Sequence, residues 1–232
     1  MQNKYQHLIF DLDRTLWDFE SNARIALNEI YNEYGLKERG VVDFDGFEKK
    51  YKEINEVCWD DYRNGKLKKE ILRNLRFELT LKEYGISDRK TILDISELYL
   101  YKSPRLTKVI EGAHDILDYL SGSYQLHILT NGFVEVQGIK MDKSGLAPYF
   151  DQVVASEFAG AKKPHPQAFE FTLERINAKA DNCLMIGDDP ISDIKGAHNV
   201  GIDSVYFNPD NNSPSVYATY TIQKLMELKS IL

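Results

Sequence analysis

Asp11 and Asp13 close the apolar run HLIFDL (7–12), and Asp188-Asp189-Pro190 follows the run NCLMIG (182–187), with Asp193 a turn behind. Between them, Thr130-Asn131-Gly132-Phe133 ends the run QLHILT, and Lys162-Lys163-Pro164 lies one loop beyond QVVAS. If these runs are neighbouring strands, Asp11, Asp13 and Asp188 converge at one end of a sheet. Two like charges about 4 Å apart repel by about 4 kcal/mol at an effective dielectric of about 20, so three carboxylates require a countercharge. Ligands that are all oxygen select a hard divalent cation such as Mg²⁺. Lys163 adds positive charge, and Thr130 and Asn131 add neutral donors. Carboxylates, cation, lysine and donors together describe a site for phosphoryl transfer.

Each residue also has a plain structural reading. Asp11 and Asp13 could form turns or cap helices, Thr130 could satisfy a backbone group, and Lys162 and Lys163 could sit on a solvated loop. Asp189-Pro190 has the form of a helix N-cap followed by proline at the first helical position, a structural role. Asp193 would then lie on the first turn, favouring the helix dipole or steadying a metal shell. The functional reading rests on the combination: four such groups arrive in order, each at the end of its own apolar run.

The elements that must position these residues are legible as well. The runs 7–12, 125–130, 152–156, 182–187 and 203–207 are continuously apolar, as parallel strands covered on both faces are. Helical spacing fills about 111–121, 134–145, 166–177, 190–199 and 220–231, and 208–215 is a polar, turn-rich loop. Strand alternating with helix predicts an α/β fold, a doubly wound, mostly parallel Rossmann-like sheet. In such sheets the ligand lies beyond the carboxyl ends of the strands. From Trp17 to Ser103 no strand is readable. Amphipathic stretches at about 18–34, 43–63, 67–84 and 88–101 punctuated by Gly35, Asn64-Gly65 and Gly85 predict an inserted helical module. The expected division is residues 1–16 with 104–232 as the core domain and 17–103 as the insert.

Composition narrows the partners. The 232 residues carry 29 Lys and Arg against 36 Asp and Glu, a formal charge of −7, which disfavours a nucleic-acid footprint but allows a small anion in a local positive pocket. No apolar run reaches the roughly 20 residues of a membrane span, and the amino end lacks the pattern of a secretory signal. Cys58 and Cys183 are two isolated thiols, so neither a zinc site nor a disulfide framework is expected. The expectation is a cytoplasmic protein without nucleic-acid or membrane partners, a monomer or weak homodimer acting on a small phosphorylated metabolite.

These motifs resemble those of the haloacid dehalogenase-like hydrolases over essentially the whole chain: Asp11-Leu12-Asp13-Arg14-Thr15, Thr130-Asn131, Lys163-Pro164 and Gly187-Asp188-Asp189 with Asp193. The resemblance implies a C1-type helical cap and Asp11 as a nucleophile that forms an aspartyl-phosphate. It implies Asp13 as general acid and then base, with Thr130, Asn131 and Lys163 binding the phosphoryl group. Lys163 is preferred over Lys162 for its adjacency to Pro164. The metal set it implies is the Asp11 side chain, the Asp13 main-chain carbonyl and the Asp188 carboxylate, with Asp193 behind them. Dehalogenases lack an acid two residues after the nucleophile, so Asp13 favours phosphate esters; no motif calls for the Schiff-base lysine of a phosphonatase.

Thr130-Asn131-Gly132-Phe133 and Trp59-Asp60-Asp61-Tyr62-Arg63-Asn64-Gly65 further resemble stretches of the bacterial pyrimidine 5'-nucleotidases. A base needs an aromatic platform, and stacking is worth about 1–3 kcal/mol. Phe133, Trp59, Tyr62, Trp17 and Phe19 are the candidates, each with packing in a core as its alternative. The expected activity is a Mg²⁺-dependent nucleoside 5'-monophosphate phosphatase. Phosphatases of phosphoglycolate or sugar phosphates, a sugar phosphomutase, and a non-catalytic phospho-accepting regulator are the rivals.

Overall fold

The computed structural model describes residues 4–232. In chain order, β1 (His7–Phe10) leads into four helices, α1 (Phe19–Glu33), α2 (Phe44–Arg63), α3 (Lys69–Lys82) and α4 (Arg89–Lys102). Then follow α5 (Ala113–Ser121), β2 (Gln125–Thr130), α6 (Val134–Lys143), β3 (Gln152–Ala155), the short α7 (Ser156–Ala159) and α8 (Pro166–Arg175). β4 (Cys183–Gly187) passes through a π-helical turn, Pro190–Lys195, into α9 (Gly196–Asn199), and β5 (Asp203–Phe207) and β6 (Tyr220–Ile222) end the sheet. The chain divides into two compact units, Met1–Phe19 with Thr107–Leu232, and Glu20–Leu106.

The first unit is an α/β sheet of six parallel strands in the order β3-β2-β1-β4-β5-β6. The order reverses direction at β1, which has β2 on one side and β4 on the other, so the switch point lies at the carboxyl end of β1. Residues of β1 and β4 are buried without exception, the burial expected of central parallel strands. Leu8, Phe10, Leu126, Ile128, Leu184 and Ile186 face one core with Ile116, Leu117 and Leu120 of α5. Ile9, Leu129, Val154 and Met185 face the other with Ala168 and Phe169 of α8.

The helix expected over 220–231 is not formed. Residues Tyr220–Ile222 extend the sheet as β6, pairing Val205 with Tyr220, and only a 3₁₀ turn, Leu225–Ser230, follows. The local sequence Thr219-Tyr220-Thr221-Ile222 is β-branched and aromatic, which suits a pleated edge better than a helix. Leu225 and Leu228, three apart, both turn into the core, a spacing that one 3₁₀ turn satisfies.

The second unit is all helical. Asp43 caps α2 by accepting from the backbone N–H of Asp45 and Gly46, and Asp88 caps α4 by accepting from Thr91. Its interior is aromatic: Tyr51, Phe77 and Tyr99 lie 5.0 to 5.7 Å apart, centroid to centroid. Among the described residues, no helix is long and apolar enough to cross a membrane.

Between β1 and β2, His7 Nδ1 and His127 Nε2 share one hydrogen bond at 3.1 Å. Burial lowers both imidazoles, His127 to about 4, with Asp151 pulling weakly the other way. A group depressed in the folded state stabilises above its unfolded pKa and loses that contribution as pH falls through the folded value. The stability that this pair contributes is therefore lost as pH drops from about 6.5 to about 4. His127→Phe should flatten that slope relative to wild type in calorimetric scans, whatever it does to the plateau; an unchanged slope would refute the assignment.

Candidate active site

Asp11 is the first residue past β1, and its N–H still donates to Ile186 O of β4 at 2.9 Å, so the sheet itself sets where its side chain starts. The chain then turns sharply: Leu16 and Trp17 both donate to Leu12 O, and Arg14 takes a left-handed φ of 68°. Lys163 is buried, and its ammonium donates to Asp11 Oδ1 at 2.6 Å, Asp193 Oδ1 at 2.6 Å and Leu129 O at 2.7 Å. An ammonium has three donors, and all three are engaged. Asn131 fixes the loop that carries this lysine, its carboxamide donating to Lys163 O and accepting from Lys163 N–H.

On the β4 side, Asp188 accepts from Thr15 Oγ1 at 3.1 Å. Asp189 caps the following turn, accepting from Ile191 and Ser192 N–H, while Asp193 folds back so that its Oδ2 accepts from Asp189 N–H. Asp193 occupies the space above Gly187; a Cβ on Gly187 would fall on that carboxylate.

Asp11, Asp188 and Asp193 each bring one carboxylate oxygen within 4.8 Å of the others. At that separation each pair of charges repels by about 3.5 kcal/mol at an effective dielectric of about 20. Burial raises Asp11 to about 7, against Lys163 and helped by Asp193 and Asp13. Burial, Asp11 and Asp193 together raise Asp188 well above its ordinary value, against the pull of Arg14. Burial by itself would lower Lys163, yet Asp11 and Asp193 outweigh it and hold it firmly charged. A raised acid beside a raised lysine looks contradictory, but both follow from one imbalance: Lys163 touches two buried acids, Asp11 and Asp193, with the half-buried Asp188 close by. The donor set is hard oxygen from separate segments with negative charge in excess, which fits a divalent cation such as Mg²⁺.

Asp13 faces a different environment. Its Oδ2 accepts from Gln137 Nε2 at 2.9 Å and its Oδ1 from Lys140 Nζ at 2.5 Å, both on α6. Gln137 Nε2 also donates to Thr130 Oγ1 at 2.7 Å, where Gly132 N–H donates as well. The hydroxyl proton of Thr130 is thereby left to an incoming acceptor.

The sequence profile of the haloacid dehalogenase-like hydrolases matches residues 5–201. The chain belongs to that family. It is 34% identical over 230 residues to pyrimidine 5'-nucleotidase PynA of Streptococcus pneumoniae, covering 96% of this chain and 94% of the relative. To a glyceraldehyde 3-phosphate phosphatase of Pyrococcus furiosus it is 30% identical, over 97% and 92% of the two chains. The crystal structure of the hydrolase YfnB of Bacillus subtilis, bound to magnesium, superposes with a TM-score of 0.90 at 32% identity over 99% of both chains.

Within this hydrolase, the structure brings Asp11, Asp188, Asp193, Lys163, Thr130 and Asn131 to one sheet end. Asp13 lies beside them, its side chain turned to α6 and outside the cluster of Asp11, Asp188 and Asp193. Asn131 holds the Lys163 backbone, so its contribution is to place that lysine. Lys162, the alternative, is half-buried, whereas Lys163 is 1% exposed and bonded to Asp11.

Trp17 is fully buried in the first core, packed edge-on to Phe19 with Lys140 Nζ 4.5 Å from its ring centroid, so it presents no platform to a base. Phe133, ahead of α6, is likewise buried. Trp59 and Tyr62 lie on α2 with rings 5.5 Å apart and nearly perpendicular, Trp59 half-buried and Tyr62 buried. Gln137 and Lys140 join the site from outside the four motifs, and Thr15 joins it from the end of the first. The available signal was the pair of polar residues at i, i+3 on the helix immediately after Thr130, which α6 turns inward.

Lys163→Met removes the cation that touches both Asp11 and Asp193. Breaking a buried pair from one side costs about 3–5 kcal/mol, and denaturant unfolding in a chelating buffer should show a loss of that size. Gly187→Ala forces Asp193 aside and should cost about 1–3 kcal/mol by the same measurement. Losses below 1 kcal/mol in both variants would mean that the cluster is not a packed unit.

Proposed function

We propose that this phosphoric monoester hydrolase acts on pyrimidine nucleoside 5'-monophosphates through an aspartyl-phosphate at Asp11. The observation that carries the chemistry is the division of labour between two carboxylates two residues apart, Asp11 on Lys163 and Asp13 on α6. Asp11 attacks phosphorus while the bond to the ester oxygen breaks, and Asp13 delivers its proton to the departing alkoxide. Asp13 then takes a proton from water as the water oxygen attacks the aspartyl-phosphate, releasing phosphate and restoring both carboxyl groups. A halide needs no proton on leaving, so an Asp13 clamped by two donors supports ester hydrolysis over dehalogenation. The regulator reading has no use for such an acid.

Mg²⁺ would be held by Asp11, Asp188 and the main-chain carbonyl of Asp13, with Asp193 in support. When bound, it supplies positive charge against the carboxylates and the phosphoryl oxygens. Thr130 offers its hydroxyl proton to the phosphoryl group, and Asn131 keeps Lys163 in place. We assign the helical unit as the family's cap. The nucleotide reading is supported by the likeness to PynA and by the motif around Trp59 and Tyr62. A triose- or sugar-phosphate phosphatase is the second reading, supported by the likeness to the Pyrococcus enzyme. The buried free thiols Cys58 and Cys183 suit a reducing, cytoplasmic setting.

Phosphate release should be highest with UMP, dUMP or dTMP, lower with purine monophosphates, glyceraldehyde 3-phosphate, phosphoglycolate and hexose phosphates. It should vanish in Asp11→Asn and in chelator, and fall by about 10²–10⁴ in Asp13→Asn. Preference for a triose or hexose phosphate would keep the mechanism and replace the substrate. Inactivity on every ester, with a persistent phosphorylated form, would favour the regulator.

A further inference from the structure

Gln137 and Lys140 have no part in the family motifs, yet α6 places both on the acid-base carboxylate. Each oxygen of Asp13 has its own donor, Lys140 Nζ on Oδ1 at 2.5 Å and Gln137 Nε2 on Oδ2 at 2.9 Å. Two donors on two oxygens fix the carboxyl plane as well as its position. Gln137 Nε2 at the same time holds Thr130 Oγ1, so the proton donor and the phosphoryl-binding hydroxyl share one anchor.

Three features argue that this clamp is more than packing. Gln137 is 1% exposed and its Oε1 is buried without a hydrogen-bond partner, an arrangement that costs about 1–3 kcal/mol and that a purely structural glutamine would avoid. A Cβ at residue 132 would fall on the Gln137 carboxamide, so the strand-end loop leaves room for it only because Gly132 stands there. Lys140 is nearly buried, with its ammonium against the face of the fully buried Trp17, so neither end of the Lys140–Asp13 pair is held loosely.

We propose that Gln137 and Lys140 are positioning residues that aim Asp13 at the leaving-group oxygen, keyed to Thr130 so that the proton arrives where the ester bond breaks. The inference rests on the phosphomonoesterase reading but not on the identity of the ester. In the step concerned, the phosphorus–oxygen bond of the ester breaks, its electron pair stays with the leaving oxygen, and the Asp13 proton goes to that oxygen. Lys140 and Gln137 keep their own protons.

The test compares kcat/KM, which reports the steps through formation of the aspartyl-phosphate, on two esters that differ in their need for a proton. Lys140→Met should lower it about 10²-fold on the best alkyl phosphate but only about two-fold on p-nitrophenyl phosphate, whose phenolate departs unprotonated. In an Asp13→Asn background, the same substitution should have almost no further effect, because its route of action is already gone. Equal losses on both esters, or losses that multiply in the double variant, would overturn the proposal. If Lys140→Met does not fold, Gln137→Met is judged by the same two criteria. Should the wild type prefer a sugar phosphate to a nucleotide, the comparison runs on that ester, so failure of the substrate assignment and failure of this inference give different results.

Discussion

Three crowded carboxylates, two of them buried, beside one buried ammonium are the constraint around which the first unit is built. Asp11, Asp188 and Asp193 would push apart were they free to do so, and Lys163 touches only two of them. The surrounding structure holds them by covalent and backbone means. Asp11 is tied by its N–H to β4, Asp188 follows the last residue of that strand, and Asp193 is drawn back by the Asp189 N–H. Lys163 itself is tethered through Asn131 and Leu129 O, so the cation cannot retreat to solvent. Because the strands are central and buried, the cost of crowding is borne by the core. The excess negative charge is what suits the site to a divalent cation.

The second requirement is that two acids so close in sequence behave differently. Residues two apart on an extended chain point to the same side, but the turn through Arg14 breaks that register. Asp11 is left over the sheet end, and Asp13 turns toward α6. Their partners then come from different elements: a lysine on the loop beyond β3 for one, a helix face for the other. Environment, and not residue type, separates the two carboxylates, as it does wherever paired carboxylates take different roles.

Much of this was legible in the sequence because buried parallel strands read as unbroken apolar runs, and five such runs mark β1 to β5. Ligands gather past the carboxyl ends of such strands, so the residues ending each run could be named without coordinates. Other parts were hidden for physical reasons. β6 is three residues long and joins the sheet only through β5, a pairing that local propensity does not announce. In α6 only Met141 follows the usual pattern: Val134, Val136 and Ile139 are half-buried, while Gln137 and Lys140 share the buried face with Met141. A reading that assigns apolar residues to the core turns that helix the wrong way. Trp17 showed the opposite difficulty, since an aromatic beside a reactive loop suits a platform and a core plug equally until its burial is known.

The two halves of the site also share a construction. Each of the flanking strands, β2 and β4, ends near a glycine whose missing side chain is replaced by a polar group folding back from the segment that follows. Gln137 fills the space beside Gly132, and Asp193 fills the space beside Gly187. Gln137 then bonds Asp13, and Asp193 bonds the lysine that holds Asp11. Neither returning side chain has to be held by a mobile surface loop, because each is packed against the backbone of the strand end it serves. Placement of the reactive carboxylates to within a fraction of an ångström therefore depends on backbone approach distances, which the sheet already determines. A methyl group at either glycine would act through the displaced side chain, even though neither glycine touches a substrate.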